Sequence, residues 1–290
     1  MSDVVVVTDS CASLPDAFYD QYGIICVPYY VHIGNKSYRD LVDITRQEFV
    51  DHLRTATELP KSANPSSGDY LQAFRTAASR ARHIVTICMT AQGSGGYQSA
   101  SLAKEMAAVE LPETDITIVD SRNVSMGYGW MVTESARAAL AGATLEDILQ
   151  LIERMIPVAR MLQTADTLRY LYMGGRIGRA KHLVGSLLNI KPIIGMEDGV
   201  IVALGQDRSR QSVYRHMVQI ITAHLGERAK IKAAIVHAGD EQAAEVLKGL
   251  ISESFPCDEL LTTELSCALT VHTGPGTVGV CYYPSSALQA

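Results

Sequence analysis

The chain has 290 residues, of which 47% are hydrophobic, and its formal net charge is −6. This composition excludes a disordered chain, and an acidic balance argues against a nucleic-acid-binding protein, which needs a basic surface. The length is sufficient for two domains, each with its own core.

The first part of the chain alternates between strands and helices. Residues 4–7 are predicted as a buried strand, and Ser13 is predicted to cap a helix that ends at Gly23. Residues 24–33 are predicted as a second strand. Residues 62–68 are rich in serine, asparagine and proline, which predicts a polar loop.

Three helix starts carry a local signature. Thr45 and Ser66 are each followed three residues later by an acidic residue, which is the capping-box pattern. Thr144 is predicted to cap a third helix. These signals fix where the predicted helices begin.

A glycine-rich turn, residues 90–96, separates a predicted strand at 84–89 from a predicted helix at 99–109. A further strand at 116–119 ends at Asp120, and a helix follows that reaches about residue 141. Strands that alternate with helices in this way predict a mostly parallel sheet covered on both faces.

The pattern changes near Pro157. Gly174 to Gly178 precedes a predicted helix that runs to residue 188, and Glu197-Asp198-Gly199 predicts a hairpin. The other predicted elements are strands at 158–163, 231–237, 259–265 and 277–283, and helices at 212–225 and 241–253. We therefore predict an α/β fold with two domains, 1–157 with a mostly parallel sheet and 158–290 with a mixed sheet.

No metal, cofactor or membrane segment is expected. The six cysteines form no Cys-x-x-Cys pair, and no cluster has metal-ligand spacing. No apolar run is long enough to span a bilayer, and the first residues lack a signal-peptide pattern. We expect a cytoplasmic protein with reduced thiols.

The predicted site lies where three strands end, because ligands of open α/β sheets bind beyond the carboxyl ends of the strands. Asp9, the 90–96 turn and Asp120 would meet there. Ser94 lies between glycines that a helix cap does not require, which favours a ligand contact. The alternative is a hydrolase or transferase acting alone on a small anionic substrate, with Ser94 or an Asp9–Asp120 acid–base pair as its machinery.

Several enzyme motifs are absent. A nucleophile elbow needs glycine where Gln92 stands, and a dinucleotide fingerprint needs glycine where Gln98 stands. Residues 274–279 match the fingerprint, but a strand follows them instead of a helix.

Two further residues have open interpretations. His272 stands in a glycine- and proline-rich turn before the last predicted strand, where a structural and a functional role are equally favoured. Arg176 stands between glycines and is either a solvated charge or an anion contact.

Taken in order, these segments resemble the DegV family of bacterial fatty-acid-binding proteins, over nearly the whole chain. The resemblance is carried by Thr8-Asp9-Ser10, residues 62–70, Ser94-Gly95 with Tyr97-Gln98-Ser99-Ala100, Val119-Asp120-Ser121, Gly174-Gly175-Arg176-Ile177-Gly178, Asn189-Ile190-Lys191-Pro192 and His272-Thr273-Gly274-Pro275-Gly276.

The resemblance implies a long-chain fatty acid buried between two domains. It places the carboxylate near Ser62, Ser94 and Gly95, with His272 extending the hydrogen-bond network. It also implies a non-catalytic carrier that makes at most transient membrane contact. Some members are the carrier half of a fatty acid kinase, in which a separate ATP-dependent, dihydroxyacetone-kinase-like subunit phosphorylates the carboxylate.

The resemblance assigns Arg176 and Arg208 to phosphate chemistry or to docking of that subunit. The chain departs from the family pattern at two places. Ser62 stands where threonine is usual, and Gly93 to Gly96 stands where Leu-Ser-Gly-Thr is usual. The second change removes one hydroxyl and one apolar side chain beside the expected head group.

Overall fold

The computed structural model describes residues 3–186 and 190–288. The strands are β1 Val4–Asp9, β2 Ile25–Val27, β3 Tyr30–Ile33, β4 Lys36–Arg39, β5 Lys61–Ala63, β6 His83–Cys88, β7 Asp115–Asp120, β8 Arg160–Thr164, β9 Lys191–Glu197, β10 Val200–Asp207, β11 Ile231–His237, β12 Cys257–Glu264 and β13 Val278–Pro284.

Ten α-helices lie within the described ranges, together with short 3₁₀ segments at Ser10–Ala12, Gly178–Ser186 and Ser285–Leu288. The helices are α1 Asp16–Gln21, α2 Arg46–Thr55, α3 Ser67–Ala78, α4 Gly96–Glu110, α5 Met126–Leu140, α6 Leu145–Met155, α7 Arg169–Met173, α8 Arg210–Leu225, α9 Glu241–Ser254 and α10 Cys267–Thr273. No helix in these ranges is both long and apolar enough to cross a membrane.

The first sheet is wholly parallel, in the order β2-β1-β6-β7. Adjacent residues of a strand face opposite sides, so Val6 packs toward α5 while Val7 packs toward α3 and α4. The sheet is therefore covered on both faces, which confirms the predicted architecture of the first domain.

The second sheet has six strands in the order β10-β9-β8-β13-β11-β12 and is mixed, because β11 and β12 run parallel while the other pairs are antiparallel. Helices α8 and α9 cover one face. The other face packs against α5, where the Trp130 indole donates a hydrogen bond to the carbonyl of Cys281. The fold is α/β with two domains; the boundary at residue 157 stays a prediction.

Four local predictions need correction or fall outside the described residues. Residues 24–33 form two separate strands, β2 in the parallel sheet and β3 in a three-stranded sheet with β4 and β5. Pro28 interrupts the run, because it has no N–H to donate to a neighbouring strand. The predicted loop at 62–68 begins as strand β5, which pairs with β3. The end of the helix predicted to reach residue 188, and the motif residue Asn189, lie outside the described residues.

The predicted helix caps had mixed outcomes. The capping boxes at Thr45, Ser66 and Thr144 are all present. Ser13 is not a helix cap, because α1 begins after Pro15 without a side-chain cap, and the Ser13 hydroxyl instead accepts a hydrogen bond from the Ser266 N–H. The predicted hairpin joins β9 to β10, with Gly199 at φ 77°.

Candidate functional site

One cavity of about 630 Å³ lies between the loops that follow the parallel strands and the inner face of the six-stranded sheet. This volume falls within the roughly 300–1,000 Å³ that small-molecule sites occupy. Much of the lining is apolar, and its larger apolar side chains are Met89, Val124, Met161, Leu171, Ile194, Met196, Val200, Ile201 and Leu269. The predicted site residues Ser62, Ser94, Gly95, Arg176 and His272 all line this cavity, whereas Arg208 does not.

The glycine-rich turn and the strand end before it are held in place by two carboxylates, of which Asp9 is buried and Asp120 is partly exposed. The Asp120 carboxylate accepts hydrogen bonds from the N–H groups of Ala91 and Arg122. Asp9 accepts from the N–H groups of Cys11 and Met89 and from the Tyr128 hydroxyl, and burial raises its pKa to about 6. Both carboxylates serve as backbone acceptors, and neither is among the described residues that line the cavity.

Ser94 forms a hydroxyl pair with Tyr29. The Tyr29 hydroxyl lies 2.7 Å from Ser94 Oγ, which also accepts a hydrogen bond of 3.3 Å from the N–H of Gly96. A Cβ at position 96 would lie 2.5 Å from the Tyr29 hydroxyl, so glycine is required there. Burial raises the pKa of Tyr29, which keeps its phenol protonated. The Tyr29 hydroxyl therefore lies beside both Ser94 and position 96.

Ser62 forms a second pair with His272, whose Nε2 lies 2.7 Å from Ser62 Oγ. The prediction that His272 lies in a glycine- and proline-rich loop turn is wrong. His272 lies near the C-terminal end of helix α10, which ends at Gly274 with φ 80°. The helix is capped at its start by the Ser266 hydroxyl, which accepts from the N–H of Leu269. This contact joins β5 to α10 on one side of the cavity.

The start of α10 is fixed by a carboxylate from the first domain. Asp40 is fully buried, accepts from the Ser10 hydroxyl at 2.9 Å and accepts from the N–H of Cys267 at 3.2 Å. Burial raises the pKa of Asp40, although these donors favour its ionised form. Asp40 therefore positions the helix that carries His272.

The charge in the cavity is positive. Burial, reinforced by the neighbouring Arg176 guanidinium, lowers the pKa of His272 to about 4, so the imidazole is neutral at pH 7. Arg176 is exposed and donates a hydrogen bond of 2.8 Å to the carbonyl of Gly174. Among the described lining residues, it is the one side chain with a formal charge at that pH. An anion is the ligand that this arrangement favours.

The remaining predicted residues are peripheral or supporting. Gly95 precedes α4 and approaches the Asn64 side chain, which a Cβ would meet at 3.0 Å. Arg208 is exposed in the link between β10 and α8. No group of three or more His, Cys, Asp or Glu side chains in the described part of the chain is arranged to hold a metal ion.

Comparison with known families decides the classification. The family model described as "Uncharacterised protein, DegV family" matches residues 3–285. This chain belongs to the DegV family. A DegV domain-containing protein of Deinococcus radiodurans is 32% identical over 288 residues, which is 98% of this chain and 99% of the relative.

Two solved structures share the whole fold. One, described by the fatty acid binding of a DegV family protein from Thermus thermophilus, has a TM-score of 0.90 and 32% identity, covering 98% of this chain and 100% of that one. The other is a stearic acid-binding protein from Eubacterium ventriosum, with a TM-score of 0.89 and 26% identity, covering 98% of both chains.

Sequence reasoning named five residues that line the cavity but missed Tyr29 and the two hydrogen-bonded pairs, Tyr29–Ser94 and Ser62–His272. Tyr29 lies in an apolar run, a position typical of a core residue. The preceding proline was the one local signal that the predicted strand is interrupted there. The Ser62–His272 pair spans 210 positions along the chain.

Proposed function

We propose that this protein binds a long-chain fatty acid in the cavity, with the carboxylate beside Ser94 and Tyr29 and the acyl chain against the six-stranded sheet. The observation that carries the proposal is an apolar cavity whose one formal charge among the described lining residues is the Arg176 guanidinium. Two proteins of the same fold support it, one described by fatty acid binding of a DegV family protein and the other as a stearic acid-binding protein.

The energetics favour such a ligand. Burying about fifteen methylenes at roughly 0.8 kcal/mol each contributes about 12 kcal/mol, from which association and ordering costs are subtracted. A buried carboxylate needs hydrogen-bond donors, because leaving it unpaired is expensive. The hydroxyls of Tyr29, Ser62 and Ser94 line the cavity. One O–H of the Tyr29–Ser94 pair is used within the pair and the other can donate to the carboxylate, and Ser62 can donate when His272 Nε2 carries the proton.

We further propose that the protein is a carrier that presents the carboxylate to a separate ATP-dependent fatty acid kinase subunit. Ser94 is partly exposed, and Arg176 and Arg208 are exposed on the surface. Acyl phosphate formation by that subunit is expected to fall in Arg176→Gln and Arg208→Gln while fatty acid retention by Arg208→Gln is unchanged. Equal kinase rates for all three proteins would refute a role of the arginines in docking or phosphate chemistry.

The first experiment is a lipid extract. The purified protein is denatured, the extract is examined by mass spectrometry, and the delipidated protein is titrated with palmitate and oleate. We expect a long-chain fatty acid in the extract and saturable rebinding. A lipid-free extract together with no binding of added acid would eliminate the proposal.

The placement of the head group is tested by serine variants. Ser94→Ala is expected to weaken fatty acid retention more than Ser99→Ala. Ser101→Ala is the cleaner control, because the Ser101 hydroxyl bonds only to its own helix at Tyr97, whereas Ser99 contacts the lining residue Asn64. Equal retention by all three variants would contradict the placement.

A second candidate is a hydrolase or transferase acting alone on a small anionic substrate. The observation in its favour is the 2.7 Å contact between Ser62 Oγ and His272 Nε2, a nucleophile–base geometry. The sequence-based alternative had placed the nucleophile at Ser94, but the imidazole contacts Ser62. His272 Nδ1 has no partner among the described residues to orient it. Ester turnover that is lost in Ser62→Ala would establish this function.

A further inference from the structure

A single amide interrupts the sheet wall of the cavity. Gln163 is only 2% exposed and lies on β8 two residues from Met161, so both side chains face the cavity. Its partner on β9 is Ile194, which also lines the cavity. Gln163 is therefore the polar position on a wall that is otherwise formed by methionine, isoleucine, valine and glycine residues.

The nitrogen of this amide has no partner. Within residues 3–186 and 190–288, Gln163 Nε2 is buried and makes no hydrogen bond. Leaving a buried donor unpaired is costly, and nearly all buried polar groups in native structures are paired. A group that lines a binding cavity is free to be paired by the ligand.

The backbone opposite Gln163 makes room for this side chain. Gly279 of β13 pairs with Gln163, and a Cβ at position 279 would collide with Gln163 Cγ. The glycine lets the glutamine lie close against its neighbouring strand. The amide is thus built into the wall rather than left at the end of a mobile surface side chain.

We infer that Gln163 is a specificity-determining residue that selects an acyl chain carrying a hydroxyl group. This inference rests on the proposed fatty acid function and names the ligand class. A hydroxyl both donates and accepts, so it can pair with the glutamine whichever way the amide is turned. A site with a buried amide binds the plain hydrocarbon chain less tightly, because the amide is then left unpaired.

The carboxylate is not the expected partner of Gln163. The Ser62 hydroxyl contacts His272, which has Arg176 as a charged neighbour, and Ser94 lies in the glycine-rich turn. Gln163 instead lies on the sheet among Met161, Ile194 and other apolar lining residues. A ligand with a second polar group part-way along its acyl chain can therefore place that group at Gln163 while its carboxylate lies at the other wall.

The test uses delipidated full-length protein with stearate and the positional series of monohydroxystearates, each measured by displacement of a bound fluorescent fatty acid. We expect at least one isomer to bind the wild-type protein about tenfold more tightly than stearate. In Gln163→Met, which keeps the length and removes the amide, this preference disappears and stearate binds at least as tightly as to the wild type.

A swap variant sharpens the result. Gln163→Met combined with Met161→Gln moves the amide two residues along β8, about 6.6 Å, and is expected to move the preferred hydroxyl along the acyl chain by several carbons. This variant conserves composition, and its unfolding midpoint is compared with the wild-type value.

Two outcomes overturn the inference and leave fatty acid binding intact. One is that the wild type prefers no isomer over stearate, which would mean that water pairs with the amide. The other is that Gln163→Met weakens stearate and every hydroxystearate equally, which would place the amide at the carboxylate. If no acid binds either protein, the proposed function itself fails.

Discussion

The cavity has two walls with opposite chemistry. On the wall formed by loops and α10, the hydroxyls are paired in advance, Ser94 with Tyr29 and Ser62 with His272. On the wall formed by the six-stranded sheet, the side chains are mostly apolar, and the amide nitrogen of Gln163 has no partner in the described structure.

The difference separates two tasks. Hydroxyls held by fixed partners need little reorganisation to meet a charged group, which suits a carboxylate. Apolar side chains on a regular strand offer an even surface, which suits a hydrocarbon chain. The loop wall is positioned by buried carboxylates such as Asp40, whereas the sheet wall is positioned by strand alternation.

The largest expected effect concerns the neutral imidazole on the loop wall. The native pKa of His272 is lowered from its ordinary 6.5 to about 4, so between these values the unfolded chain binds more protons than the native protein. The contribution of the neutral imidazole to the free energy of unfolding is therefore complete above pH 6.5. It is lost as the pH falls toward 4, by up to about 3 kcal/mol.

Urea unfolding of the wild type and His272→Gln from pH 7 to pH 4 measures this loss. Asp9 titrates in the opposite sense, since its pKa is raised to about 6, but it is present in both proteins and cancels in the difference. Parallel stability curves for the two proteins would contradict the buried neutral histidine.

The next effect concerns Gly96. Gly96→Ala places a Cβ against the Tyr29 hydroxyl and is expected to destabilise the protein by about 2 kcal/mol through overpacking. Combining it with Tyr29→Phe removes the clashing oxygen and is expected to recover much of that loss, a coupling measured by a double-mutant cycle of unfolding free energies. Gly68→Ala is the control, because only the Ser66 hydroxyl is near, at 3.5 Å. Additive effects of the two changes would refute the contact.

The smallest effect concerns the exposed charge. Arg176→Gln is expected to weaken fatty acid binding by about two- to fivefold at low salt, and less at high salt, because an exposed charge is screened. Arg208→Gln is the matched control, since Arg208 is exposed and lies outside the cavity. Equal losses in the two variants would show a general effect of net charge.

The sequence predicts what depends on neighbouring residues. The capping boxes at Thr45, Ser66 and Thr144 and the turn around Ser94 are each set by a few adjacent positions, and all are present. The strand break at Pro28 was missed. Local patterns do not specify that the residues before and after this proline join different sheets.

Helix α10 was missed for a physical reason. It has seven residues, and its β-branched Thr270, Val271 and Thr273 favour strands. Its start is stabilised by Asp40, which lies 227 positions away along the chain. The Tyr29–Ser94 contact spans 65 positions, so neither contact is visible in a local pattern.

The most direct test of the account is a crystal structure of the delipidated protein with stearate that carries bromine on its terminal carbon. The anomalous signal of bromine marks the chain end, and the electron density marks the carboxylate. We expect the carboxylate within hydrogen-bond distance of Ser94 Oγ and the bromine beside the sheet wall that contains Met161 and Ile194. Bromine beside Ser94, or ligand outside the cavity, would contradict the division between the two walls.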